Sequence, residues 1–139
     1  MRFVDSNVFL HAILTPRRKL SEEEQRTKDA SKRIVERIED GEKVSITAVH
    51  LSEVINIIES GLGLQKSLGF LAWIIDTDSI QILPTTRENY EVSLSISKDK
   101  AISINDAIAY ISMVENNIVE IYSFDRHFTQ LQDIKLIRK

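Results

Sequence analysis

Four acidic residues stand where strand-like runs end, or on helices that such runs lead into. Phe3-Val4 runs into Asp5, and Val44-Ser45-Ile46 leads into a helical stretch carrying Glu53. Val119-Glu120-Ile121-Tyr122 passes through Ser123-Phe124 into Asp125, and Asp106 opens the apolar helical stretch Ile104–Val114. The four are separated by 48, 53 and 19 residues, so no single turn or helix gathers them. A parallel sheet would, because all its strands end on one edge and ligand sites form there. Four carboxylates at one edge repel one another unless a divalent cation neutralises them, and oxygen ligands suit Mg²⁺ or Mn²⁺.

Each acid also has an ordinary explanation when taken alone. Asp5 and Asp125 sit at turns that an aspartate often caps. Ser103 lies three residues before Asp106, so Asp106 can be the acidic member of a capping box. Glu53 is harder to explain away. Val49 and Ile57 lie one helical turn on either side of it, so it falls on an apolar stripe. Lys and Arg are missing from Val44 to Gln65, so no local salt bridge can neutralise it. A desolvated carboxylate needs a partner, a proton or a metal. Asp76 and Asp78 are a contrast: they precede their strand and belong on the opposite edge, as turn residues.

The elements that must position these groups alternate. Met1–Val4 reads as a strand and Val8–Leu14 as a helix, with Asp5-Ser6-Asn7 offering cap residues. A basic loop, Arg17-Arg18-Lys19, leads to Ser21, which opens a long helix to about Asp40 through a capping box with Glu24. Its second half is amphipathic through Ala30, Ile34, Val35 and Ile38, whereas Glu22–Asp29 is polar all round and expected in solvent. Val44–Thr47 is the second strand, followed by a helix over about Ala48–Ser60. The break Gly61-Leu62-Gly63 separates it from a helical apolar stripe of Leu64, Leu68, Leu71, Ala72 and Ile75. Ile80–Leu83 is the third strand, Arg87–Ser97 and Ser103–Asn116 are helices, and Val119–Tyr122 is the fourth strand. A helical turn near Arg126–Gln130 and a short strand Lys135–Ile137 complete the pattern. Strands alternating with helices predict an α/β fold, a three-layer α/β/α sandwich around a parallel sheet. With 139 residues and no linker or repeat, residues 1–139 form a single domain.

Composition excludes several classes. There is no cysteine, so disulfides and thiolate metal sites are ruled out and a reducing cytoplasmic setting is expected. The net charge of −3 gives no global signal for nucleic acid, although metal-binding carboxylates themselves make a nuclease acidic. No apolar run is long enough to span a bilayer. His11, His50 and His127 lack paired metal spacing; His50 precedes Glu53 by one turn and could touch the site, while His127 reads as a surface residue. The loop Arg17-Arg18-Lys19 could meet phosphate or simply be solvated.

Phe3-Val4-Asp5-Ser6-Asn7-Val8, Leu51-Ser52-Glu53-Val54, Ser103-Ile104-Asn105-Asp106-Ala107 and Ser123-Phe124-Asp125-Arg126-His127-Phe128 together resemble the PIN domain family. The order Asp, Glu, Asp, Asp matches across nearly the whole chain. The resemblance implies a Mg²⁺- or Mn²⁺-dependent endoribonuclease of the kind found as the toxin in VapBC toxin–antitoxin pairs. It implies RNA as substrate, products with 5′-phosphate and 3′-hydroxyl ends, and a cognate antitoxin protein as partner. Asp5, Glu53, Asp106 and Asp125 would be the catalytic metal ligands, with Ser6, Asn7 and Ser123 supporting them. A homodimer fits both the family and the apolar face around Leu64–Ile75, which can equally be core. Two rivals stand beside this reading: a non-catalytic module with the same fold, and a phosphotransfer or receiver domain. The receiver normally needs an acidic pair after the first strand and a late lysine, whereas Asp5 stands alone and Asp125 supplies acid.

Overall fold

Five short strands, all parallel, carry the fold: β1 (Arg2–Val4), β2 (Val44–Thr47), β3 (Ile80–Leu83), β4 (Glu120–Tyr122) and β5 (Lys135–Ile137). The computed structural model describes all residues 1–139. Strand order is β3-β2-β1-β4-β5, so the first strand lies in the middle of the sheet. Phe3 pairs with Ser45 on one side and with Ile121 on the other. Every residue of β2 is buried, as expected of a parallel strand covered on both faces.

Six helices supply the two outer layers. They are α1 (Ser6–Ile13), α2 (Glu22–Glu39), α3 (Ala48–Leu62), α4 (Leu64–Asp76), α5 (Arg87–Lys100) and α6 (Ile104–Glu115). On one face Val4, Val44, Ile46 and Ile80 pack against apolar side chains of α1 to α4, among them Phe9, Ile34, Val54 and Phe70. On the other face Phe3 and Ile121 pack against Ala109 and Met113 of α6 and against Phe128. The expected three-layer α/β/α sandwich is therefore present. Some helices run past their expected ends, most clearly α5, which reaches Lys100 before Ala101 turns the chain at φ 54°. No helix is long and apolar enough to cross a membrane.

Two expectations about the helices need correction. The polar first half of α2 is expected in solvent, yet Lys28 is buried there. Its ammonium donates to the carbonyls of His11, Ala12 and Leu14 at 3.2, 3.5 and 3.1 Å, closing the unsatisfied end of α1. Polar residues on a helix need not face water when a neighbouring helix end offers acceptors. The apolar stripe expected on α4 is not its buried face: Leu64, Leu68, Ala72 and Ile75 are exposed and Leu71 is half-buried, while Ser67, Phe70 and Ile74 face the core.

Candidate metal centre

Asp5 follows β1 directly and caps α1. Its Oδ1 accepts from the Ser6 amide at 2.8 Å and its Oδ2 from the Ser123 hydroxyl at 2.7 Å. Ser123 in turn accepts from the Asp125 amide at 3.0 Å and from the Asn7 side-chain amide at 3.4 Å. The Asn7 oxygen accepts from the Phe124 amide at 3.3 Å. One buried hydroxyl thus ties the end of β1 to the segment after β4. Asp5 is only 7% exposed. Burial pushes its pKa up to about 7, against the bond from Ser123, and the charges of Asp106 and Glu53 push the same way as burial.

Asp106 sits in the first turn of α6. The Ser103 hydroxyl accepts from the Asp106 amide at 3.1 Å, which is half of a capping box. The other half, a bond from the Ser103 amide to the Asp106 carboxylate, does not form. The carboxylate faces a cleft instead, and its pKa is raised by burial and then by the charge of Asp125. Asp125 caps the 3₁₀ turn Arg126–Gln130; its Oδ1 accepts from the His127 amide at 2.9 Å and lies 3.1 Å from the His127 Nδ1.

Glu53 departs from expectation. It is half-buried, and the stripe around it is open, with Ile57 exposed. Its Oε2 accepts from the Asn105 side chain at 2.8 Å, so its partner is a neutral amide from the residue before Asp106. The most desolvated of the four acids is Asp5. Sequence alone could not show this, because the burial of Asp5 comes from β2 and β4 on either side of its strand.

All four acids line one open cleft of about 510 Å³, together with His50, Ser103, Ile104, Asn105 and His127. Asp106, Asp125 and His127 each offer a ligand atom, and these atoms lie within 4.8 Å of one another. Hard carboxylate oxygens with an imidazole beside them suit a divalent cation, and the raised pKa of Asp5 marks a charge that such a cation would relieve. The donor set therefore fits a divalent cation. His127 is exposed as expected, but it borders the acids rather than plain surface. Asp76 and Asp78 lie at the end of α4 and in the turn before β3, away from the cleft.

His50 reaches the cleft, and it does so from the core. It is 1% exposed and sits edge-on to Phe3, with ring centroids 5.4 Å apart. The Thr47 hydroxyl accepts from the His50 amide at 3.1 Å and pairs with Nδ1. With the hydroxyl proton directed at Nδ1, the ring proton stands on Nε2. Burial lowers the pKa of His50 to about 4, so the ring is neutral at pH 7. Nε2 lacks a well-aligned partner, and the Asn105 backbone is its neighbour. The helical offset from Glu53 is the one signal in the sequence for this residue. Asn105, next to Asp106, gives no signal of its own.

The basic loop takes no part in this cleft. Arg18 is engaged twice by Glu24, at 2.8 and 2.6 Å, beside the start of α2.

Comparison with solved structures gives a consistent neighbourhood. A Mycobacterium tuberculosis toxin, VapC20, described as cleaving the sarcin-ricin loop, superposes with a TM-score of 0.77 at 16% identity, covering 100% of both chains. A toxin–antitoxin complex from Klebsiella pneumoniae gives 0.67 at 13%, covering 99% of this chain and 96% of that one. VapBC2 from Rickettsia felis, bound to a promoter DNA fragment, gives 0.67 at 13%, covering 98% and 96%. At these identities the likeness speaks for the fold. No curated protein matches the sequence. The model of the PIN domain matches residues 2–134, a span that takes in all four acids and every strand but the last, and by that match the chain belongs to the PIN domain family.

Proposed function

We propose that this protein is a Mg²⁺- or Mn²⁺-dependent endoribonuclease and the toxin of a toxin–antitoxin pair. The observation that carries the reading is the convergence of Asp5, Glu53, Asp106 and Asp125 on one cleft at the carboxyl edge of the sheet. Family membership and the VapC and VapBC neighbours support it, and they remove the receiver-domain rival.

Asp106 and Asp125, with His127 beside them, would hold the cation, and Asp5 and Glu53 would complete the acidic wall. When bound, the metal lowers the pKa of a water and neutralises charge on the phosphate during in-line displacement. Asp5, whose pKa burial raises to about 7, would be more fully ionised with a cation held in the cleft. Asp106 or Asp125 orients the attacking water and takes its proton. The water oxygen bonds to phosphorus as the bond from phosphorus to the 3′-oxygen breaks, the 3′-oxygen takes a proton from solvent, and 5′-phosphate and 3′-hydroxyl ends result. Ser123 keeps Asp5 and the Asp125 backbone in register. Asn105 does the same for Glu53.

A cognate antitoxin, a cytoplasmic setting and a homodimer belong to the same proposal. The exposed Leu64, Leu68 and Ile75 on α4 give a dimer an apolar face. The deciding experiment is an RNA cleavage assay with Mg²⁺ or Mn²⁺ and a chelator control. Cleavage abolished by chelation supports the reading; cleavage indifferent to chelation, or none with either metal, overturns it and favours a non-catalytic module.

A further inference from the structure

Five cations line a second cleft that shares a wall with the acidic one. Arg26 and Arg33 come from α2, Arg126 from the 3₁₀ turn, and Arg138 and Lys139 from the segment after β5. The chain carries a net charge of −3, so this is a local reversal of sign. The lining also holds Glu23 and Asp29, and Asp29 is already engaged by Gln25 at 2.9 Å. None of the five cations makes an ion pair; the pairs of this protein use Arg2, Arg18, Arg87 and His127. All five are exposed.

The shared wall is the run Phe124–His127. Asp125 and His127 face the acidic cleft, while Phe124 and Arg126 line the basic one. Phe124 is held edge-on to His11, with centroids 5.6 Å apart at 90°. It gives the basic cleft a fixed aromatic surface between cationic walls. Unpaired cations beside an aromatic face suit single-stranded nucleic acid, through phosphate contacts and base stacking. The acids alone repel a phosphodiester, and screening confines that repulsion to roughly 8 Å at physiological salt. A neighbouring basic cleft offsets it.

We infer that this basic cleft holds the RNA strand flanking the scissile phosphate, with Arg26, Arg33 and Arg126 on its phosphates and a base against Phe124. The inference rests on the ribonuclease reading and adds where the strand runs and which residues hold it.

The test measures binding of a fluorescent single-stranded oligoribonucleotide to the full chain in chelator, across a range of KCl concentrations. Cleavage with Mn²⁺ is scored separately. The variant Arg26→Gln/Arg33→Gln/Arg126→Gln should lower the slope of log affinity against log salt by about 2. It should also weaken binding about tenfold or more near 0.15 M salt. The control Arg17→Gln/Lys19→Gln, in the basic loop, should leave the slope unchanged. Phe124→Leu should weaken binding several-fold at constant slope. Equal slopes for parent and triple variant overturn the inference while leaving Mn²⁺-dependent cleavage, and the proposed function, intact. Loss of cleavage in the parent itself instead strikes the proposed function. Polyglutamate competing as strongly as RNA, with Phe124→Leu silent, overturns the inference in favour of an acidic protein partner.

Discussion

Replacing Asp5 by Asn should stabilise the metal-free protein at neutral pH. A carboxyl held at about 7 in the fold, against 3.8 in the unfolded chain, costs about 4 kcal/mol once both states are ionised. The sign follows from proton binding. Between those two values the folded state keeps a proton that the unfolded state has released, so stability falls as pH rises. The loss begins near the lower value and is nearly complete a little above the higher one. The new asparagine would keep the bond from the Ser6 amide through its oxygen. The Ser123 hydroxyl already accepts from the Asp125 and Asn7 amides, so its proton, given to Asp5 in the parent, loses its acceptor, and about 1–3 kcal/mol of the gain is offset. For a domain of this size about 4 kcal/mol corresponds to a rise in Tm of roughly 12 °C, an upper bound because the variant relaxes differently. Melting curves of parent and variant in chelator at pH 4, 6 and 8 read it out. The gap should open with pH, and Mn²⁺ should stabilise the parent more than the variant. A variant that melts at or below the parent at pH 8, or a gap independent of pH, would refute the electrostatic reasoning and make Asp5 a structural cap.

The same logic reaches the other residues. Glu53→Gln, Asp106→Asn and Asp125→Asn should each lower RNA cleavage by about a hundredfold or more, whereas Asp76→Asn and Asp78→Asn should stay within a few-fold of the parent. Single-turnover rates decide it, and equal damage from both sets would mean that the carboxyl edge of the sheet is not the site. Lys28→Met keeps the apolar stem but strands three carbonyls at the end of α1, so denaturant midpoints should report a loss of about 1–3 kcal/mol. His50→Phe preserves the contact with Phe3 but not the bond to Thr47, and should lower kcat more than it raises KM if the ring orders the backbone at Asn105. A pure loss of stability with unchanged kcat would leave His50 a core residue only.

Legibility in the sequence followed the range of the interaction. Strand-to-helix order, the helix caps and the five strands are local, and the alternation of apolar runs with cap residues displays them. The convergence of Asp5 and Asp125 was also readable, because parallel strands share an edge whatever their order. The burial of Asp5 was not, since it depends on a central place in the sheet set by pairing with strands far along the chain. Glu53 misled for the same reason: helical periodicity names a stripe but not how tightly the neighbouring elements close over it. Its partner Asn105 lies 52 residues away, and a neutral amide leaves no charge pattern to follow. Lys28 was hidden because a buried cation satisfied by backbone carbonyls requires no acidic partner in sequence.

The central position of β1 has a consequence for the order of assembly. Strand β1 is made before the others, yet one of its edges waits for β4, which pairs through Phe3 and Ile121. The hydroxyl that fixes the Asp5 carboxylate belongs to Ser123, 118 residues downstream. A nascent or truncated chain that stops before that point has an open edge on its middle strand and lacks Asp125 and the cations beyond it. Nuclease chemistry, on the function proposed here, is thus withheld until synthesis has passed these residues, and fragments released earlier would be inert toward RNA.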